Sequence, residues 1–346
     1  MKIVIAILIF SALILFHEFG HFLLAKKNGI CVTEFCLGLG PTLVGVQKGE
    51  TKYSLKLLPF GGACVMLGED GLVEDERSFG AKSVWARMSV VAAGPIFNFI
   101  LAFIGAVIII GNIGFDKPSV YEVIPDYPMA EAGIQAGDII KKVDGSSVHV
   151  YREFNNYMQF NQSGEPVEVV YERDGKEYTT LLTPKFNETE GRYLLGVRGP
   201  GPRVKGNALQ TLQYSYYEVE YWIKATFQSL KMLFTGQVGI NDLSGPVGIV
   251  NVVGESYEQV QEVGGTAKDV WLTMLNWLIL LSANLGVMNL LPIPALDGGR
   301  LVFLVIEAIR GKPIDPEKEG MVHFTGLILL LALMLFVMFN DIHKLL

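Results

Sequence analysis

Charged side chains are scarce in this chain of 346 residues: 18%, where a soluble globular protein carries roughly a quarter. Half of the residues are apolar, and the mean hydropathy is +0.37. That combination excludes an ordinary soluble enzyme and points to a membrane protein with a soluble part. No basic block occurs and the net charge is −7, so no electrostatic footprint for nucleic acid exists. Cysteine is nearly absent. The three present, Cys31, Cys36 and Cys64, fit no zinc-knuckle spacing and need no disulfide, so they are expected as small buried hydrophobes. Histidine numbers only five, and two of the five stand four residues apart inside an apolar run.

Four runs are long and apolar enough to span a bilayer, which needs about 20 residues. They cover residues 3–25, 89–111, 270–291 and 321–339. The first begins Met-Lys, as a secretory signal does. No small-residue cleavage site follows it, and the apolar pattern continues past the histidines, so it is expected to remain as a span. Basic residues set the orientation. Lys26, Lys27, Lys48, Lys52, Lys56, Arg77, Lys82 and Arg87 lie between spans one and two, and Arg310, Lys312 and Lys318 precede span four. Both segments are therefore expected in the cytosol, with both termini and the stretch between spans two and three outside.

Ionisable groups are costly in a bilayer and mark function there. The first span nevertheless reads IVIAILIFSALILFHEFGHFLLA. His17 and His21 share one helix face, a turn apart, and such a pair holds a zinc ion with Glu18 beside it as general base. A catalytic zinc takes three protein ligands and keeps an open position. The candidate for the third is Asp297 in NLGVMNLLPIPALDGGR, where Pro292 and Pro294 break the helix. Irregular backbone at membrane depth is tolerated only where it is buried or lines a cavity. The alternative, a helix cap for the following LVFLVIEAI, is the weaker one once the HEFGH partner is counted. His17 lies about 21 Å from the outer start of span one at 1.5 Å per residue. Asp297, at the inner end of span three, arrives at a similar level. His149, His323 and His343 lack partners at useful spacing and read as surface or packing residues.

HEFGH in the first span, AAGPIFNFILA in the second and NLLPIPALDGGR after the third together resemble the site-2 protease family of intramembrane zinc metalloproteases. With an insertion between spans two and three, the chain is similar to the bacterial RseP/RasP-type branch that cleaves anti-sigma factors and signal-peptide remnants. The resemblance implies that His17, His21 and Asp297 bind Zn2+ and that Glu18 activates water. It implies a multi-pass protein of the bacterial inner (cytoplasmic) membrane, with the active site toward the cytosol. Asn284 and Asn289 occupy the family's polar positions for the substrate backbone or the oxyanion; hydrogen bonding between helices is the other reading of both. Asn98 in GPIFN is read as helix packing with a secondary role near the site.

Lys52 to Met66, KYSLKLLPFGGACVM, alternates as a strand and carries Gly61 and Gly62. The resemblance implies a hairpin dipping into the membrane, whose edge pairs with an unwound substrate at these glycines; a hairpin that merely covers the site is the other reading. AEAGIQAGDIIKKVDG and the following VEVVYERDGKEYTTLLTP resemble a PDZ domain, with turns at Asp144–Gly145 and Asp174–Gly175. Its expected role is gating by size or docking of a trimmed substrate end. The stretch NALQTLQYSYYEVEYWIKATFQSLKMLF reads as an amphipathic helix on the outer leaflet. LSGPVGIV matches a recurrent segment without a derivable role.

The expected architecture is thus an α-helical polytopic membrane protein with four transmembrane helices, a membrane-dipping β-hairpin and an inserted small α+β PDZ domain. Its divisions are residues 1–112 with HExxH and the hairpin, 115–185 as the PDZ domain, 204–269 as helix and linker, and 270–346 with the LDG motif. The expected partners are the lipid bilayer and single-span membrane proteins of the anti-sigma-factor or signal-peptide-remnant kind, with no nucleic acid. A non-catalytic PDZ scaffold on a membrane anchor is the rival. It gives no reason for His17, Glu18, His21 and Asp297 to stand at one depth. An ion transporter predicts polar residues on several spans, and spans two and four are apolar apart from Asn98.

Overall fold

Each of the four apolar runs forms a helix in the computed structural model, which describes residues 2–69, 71, 73–239 and 243–345. The chain divides into two compact units, residues 1–105 with 226–346 and residues 106–225. The element order begins α1 (Lys2–Lys27), β1 (Val32–Lys48), β2 (Thr51–Met66) and α2 (Val84–Ile113). It continues β3 (Glu122–Val123), α3 (Pro128–Glu131), β4 (Ile139–Val143), β5 (Ser146–Ser147), α4 (Tyr151–Phe160), β6 (Val167–Arg173), β7 (Lys176–Leu182), β8 (Lys185–Asn187), β9 (Arg192–Leu194) and β10 (Val197–Arg198). The remainder is helical: α5 (Ala208–Phe234), α6 (Pro246–Glu262), α7 (Ala267–Leu290), α8 (Asp297–Arg310) and α9 (Pro316–Leu345). Among the described residues, α1, α2, α7 and α9 are the helices long and apolar enough to cross a membrane.

In the first unit α1 packs on α7 and α6, burying Ile9 and Leu13 against Val253 and Leu281. At the other end of α1, Ala25 and Val32 join Met66, Val90 and Leu304 in a second core. Helices α1 and α2 touch backbone to backbone: a Cβ on Gly20 would stand 2.4 Å from the Ala93 carbonyl oxygen. The expected linker after α5 is instead a second helix, α6. Its N-terminus is closed by the buried carboxylate of Asp341 on α9, which accepts from the amides of Gly245 at 3.1 Å and Gly248 at 2.7 Å. This contact supplies the role that LSGPVGIV lacked in the sequence.

Strands β1 and β2 are not a plain hairpin. Residues 34–37 pair on one side with residues 62–65 and on the other with residues 52–55, while residues 44–48 pair back onto 51–55. The result is four extended stretches with residues 62–66 along one edge. Leu39, Leu43, Val44, Val46, Leu55 and Leu57 are exposed on this sheet. Six large apolar side chains on one small sheet are a burden in water and suit a bilayer.

In the second unit β5-β4-β6-β7 form an antiparallel sheet over a core that includes Met129, Ile140, Val143, Phe154, Val167 and Val169. Helix α4 carries Phe154 and Met158 into that core. The module runs past the expected end at residue 185. Strand β10 pairs antiparallel with β3, and Met129 donates its amide to Leu195, so residues 192–198 belong to it. Only two residues of β10 pair, too short an alternation to read in the sequence. Helix α5 is also less free than an interfacial helix. Its Glu218 pairs with Arg152, and Lys224 reaches Glu153 at 3.0 Å, both on α4. The charges in mid-helix thus have protein partners.

Candidate metal centre

His17 and His21 point the same way from α1, as their spacing requires, with ring centroids 4.8 Å apart. Asp297 meets them from α8. Its Oδ2 lies 3.2 Å from His17 Nε2 and 3.5 Å from His21 Nε2, and the two Nε2 atoms are 3.3 Å apart. The sequence breaks α7 at Leu290 so that Asp297 can reach them. Ala295 takes φ = 75°, a left-handed conformation costly for a residue with a Cβ. Its amide donates to His323 Nδ1 at 2.9 Å, bracing that turn from α9. His323, expected as an ordinary packing residue, thereby supports the site. Gly298 and Gly299 allow the return: a Cβ on either would meet the carbonyl oxygens of Leu291 or Ile293 within 2.3 Å. Asp297 is the first residue of α8 and makes no capping bond, so the cap reading gives way.

These residues fit a zinc ion. A tetrahedron with bonds of about 2.0–2.1 Å has edges of about 3.3–3.4 Å, and the three separations are 3.2, 3.3 and 3.5 Å. Asp297 Oδ2 is buried without a hydrogen-bond partner, as an oxygen reserved for a cation is. Room is left on the α2 side, where a Cβ on Gly94 would lie 2.3 Å from His21 Nε2 and 2.7 Å from His17 Cε1. Among the described residues these three form the one metal-competent cluster of His, Cys, Asp and Glu side chains.

The surroundings of the three are less visible in the sequence. His21 Nδ1 lies 2.8 Å from the Val90 carbonyl oxygen, which leaves Nε2 with its lone pair toward the cluster. His17 Nδ1 faces the amide of Asn98 at 3.1 Å. Glu18 accepts the backbone N–H of Cys64 at 2.9 Å, so the sheet edge at residues 62–66 adjoins the general-base candidate. Gly62 is the residue that permits this approach: a Cβ there would stand 2.8 Å from Ile14 Cγ2 and 3.2 Å from Glu18 Cγ. Gly61, with φ = 85°, packs under Leu39 beside it. A backbone donor leaves no mark of residue type, so neither Cys64 nor Val90 was readable.

The two asparagines separate. Asn289 Nδ2 comes to 3.5 Å from His17 Nε2, at the edge of the centre. Asn284 does not reach it; its side-chain oxygen accepts from the Thr226 hydroxyl on α5, the helix-to-helix role. Asn98 belongs closer to the site than packing alone suggests.

Residues 5–333 match Peptidase family M50. Over 424 aligned positions the chain is 33% identical to zinc metalloprotease RasP of Geobacillus kaustophilus, covering 99% of this chain and 98% of that one. It is also 33% identical to the regulator of sigma-W protease RasP of Bacillus subtilis, covering 98% and 97% of the two. Among solved structures, the PDZ domain of an SdrC-like protein from Listeria monocytogenes aligns with 25% of this chain at 24% identity and a TM-score of 0.22. With residues 5–333 matching the family and a His-His-Asp cluster where α1 meets the start of α8, the chain belongs to peptidase family M50, the site-2 protease family of intramembrane zinc metalloproteases.

Proposed function

We propose that His17, His21 and Asp297 hold the zinc, that Glu18 is the general base, and that the substrates are single-span membrane proteins cut within or near the bilayer. The observation that carries this reading is the set of three ligand atoms at tetrahedral-edge spacing, two of them inside the apolar helix α1, with Glu18 next to His17 in that helix. When bound there, zinc supplies Lewis acidity that polarises the scissile carbonyl and acidifies a water. Glu18 takes a proton from the attacking water and delivers it to the leaving amide nitrogen as the C–N bond breaks. The Cys64 amide steadies the Glu18 carboxylate for that exchange. Asn289 is the group positioned to hold the substrate carbonyl oxygen.

A helical substrate keeps its carbonyls in internal bonds and must be extended before it is cut. The edge at residues 62–66, with Gly61 and Gly62, is the strand onto which an unwound segment adds. The basic residues between α1 and α2 orient the centre toward the cytosol and the PDZ-like unit outside, in a bacterial cytoplasmic membrane. The Bacillus subtilis relative is named for regulating sigma-W, which favours anti-sigma factors as the substrate kind.

Purified wild type, Glu18→Gln and Asp297→Asn are analysed for zinc per chain and given a single-span model substrate. We expect one zinc in wild type and in Glu18→Gln, cleavage by wild type alone, and loss of that cleavage on chelation. Asp297→Asn should hold zinc more weakly. Full activity in either variant, or no zinc in the wild type, overturns the assignment.

A further inference from the structure

We propose that Asn98 is a positioning residue of the metal centre: its side-chain carbonyl accepts Nδ1–H of His17 and so fixes Nε2 as the ligand atom. The inference rests on His17 being a zinc ligand. His21 already has such an acceptor in the Val90 carbonyl, which cannot donate and therefore holds the proton on Nδ1. His17 has no backbone carbonyl in that place. Its Nε2 faces Asp297 Oδ2 and His21 Nε2, so the lone pair is needed on that side and the proton must sit on Nδ1. The group opposite Nδ1, 3.1 Å away, is the Asn98 amide.

An amide presents a donor at one corner and an acceptor at the other, exchanged by a half-turn of the group. With NH2 toward His17, two donors face each other and Asn98 Oδ1 is left buried without a partner, which is how the amide stands. With the oxygen toward His17, the donors no longer face each other and the buried oxygen gains a partner, while the NH2 takes the place where Oδ1 stood. Asn98 is 0% exposed, so no bulk water relieves the orphaned oxygen otherwise. Its backbone is also held, since its carbonyl accepts from the Ser282 hydroxyl on α7 at 2.7 Å. The geometry thus accounts for a polar residue in a 30-residue helix whose neighbours are nearly all apolar.

The test is zinc affinity of the purified full-length protein, measured by competition against chelators of graded strength, on wild type, Asn98→Asp and Asn98→Leu. Removing an outer-shell partner of a metal-bound histidine weakens binding about 10- to 100-fold, and we expect that of Asn98→Leu. Asn98→Asp keeps an acceptor and should bind within about threefold of wild type. Cobalt in place of zinc should give the same visible spectrum in wild type and Asn98→Asp, and a shifted one in Asn98→Leu. If Asn98→Leu fails to fold, Asn98→Ala also lacks the acceptor and takes its place. Wild-type affinity in the variant without an acceptor overturns the proposal. So does an Asn98→Asp as weak as Asn98→Leu, because the amide would then act as a donor. A wild type that binds no zinc fails the ligand reading itself, an outcome distinct from both.

Discussion

At the scale of the residue, the demand on the site falls on what must be absent as much as on what must be present. Gly94 has no side chain, and a methyl there would enter the space of both imidazoles, 2.3 Å from His21 Nε2. It sits on α2 opposite rings held by Val90 and Asn98, so neither ring can step aside cheaply. Gly94→Ala is therefore expected to insert as wild type does, to retain its helices by circular dichroism, and to bind no stoichiometric zinc. Metal analysis of the purified variant decides it; one zinc per chain would mean that α2 yields. The sequence announced His17, Glu18, His21 and Asp297 because ionisable groups stand out against an apolar background. It offered Gly94 only as a small residue for helix packing and was silent on the Val90 carbonyl and the Cys64 amide. Small residues and backbone groups carry no chemical label until the fold brings them opposite a ring. Asn284 shows the reverse case, a polar residue that stood out and turned out to serve a helix contact.

At the scale of the element, the four spans were legible from length and apolarity, and their observed ends differ from the expected ones by one to six residues. What the sequence left unread was the helix between α5 and α7. Proline at its first position and glycines at 245 and 248 resemble a loop, and the partner that makes them a helix start is 93 residues further on. The buried Asp341 carboxylate lies at the positive end of α6, where a negative charge is stabilised by the helix dipole and the free amides. A Cβ on Gly248 would come within 3.0 Å of that carboxylate. Span four is packed sparsely along its length, so this contact matters to where it lies. Losing two hydrogen bonds to a charged group costs roughly 1.5–3 kcal/mol each at most. Asp341→Ala and Gly248→Ala should each increase protease nicking within the first turns of α6, with zinc content unchanged. Nicking at the wild-type rate in both variants would remove α9 as the anchor of α6.

At the scale of the whole molecule, pH is the variable that singles out the second unit. That unit holds Asp138 in a buried position. Burial alone would raise its carboxyl pKa, yet the Arg173 guanidinium at 2.6 Å and the Gln135 amide at 2.8 Å outweigh it and hold the value below the usual aspartate range. A depressed native pKa means that the unfolded state takes up protons first. The stability it contributes is complete above the ordinary aspartate value of about 4 and is lost as pH falls through the native one. Arg173→Ala reverses the sign. The carboxylate left behind is buried without its charge partner, its pKa rises above the unfolded value, and stability is lost as pH climbs through that range. Eleven of the 13 tyrosines lie between residues 106 and 225, so near-ultraviolet circular dichroism of the full chain follows this unit's melting. Arg173→Ala should melt several degrees below wild type at pH 7. The gap should narrow steadily from pH 5 to pH 3. A gap that stays constant over that interval would mean that Asp138 titrates alike in both proteins, and the pair would then be an ordinary surface contact.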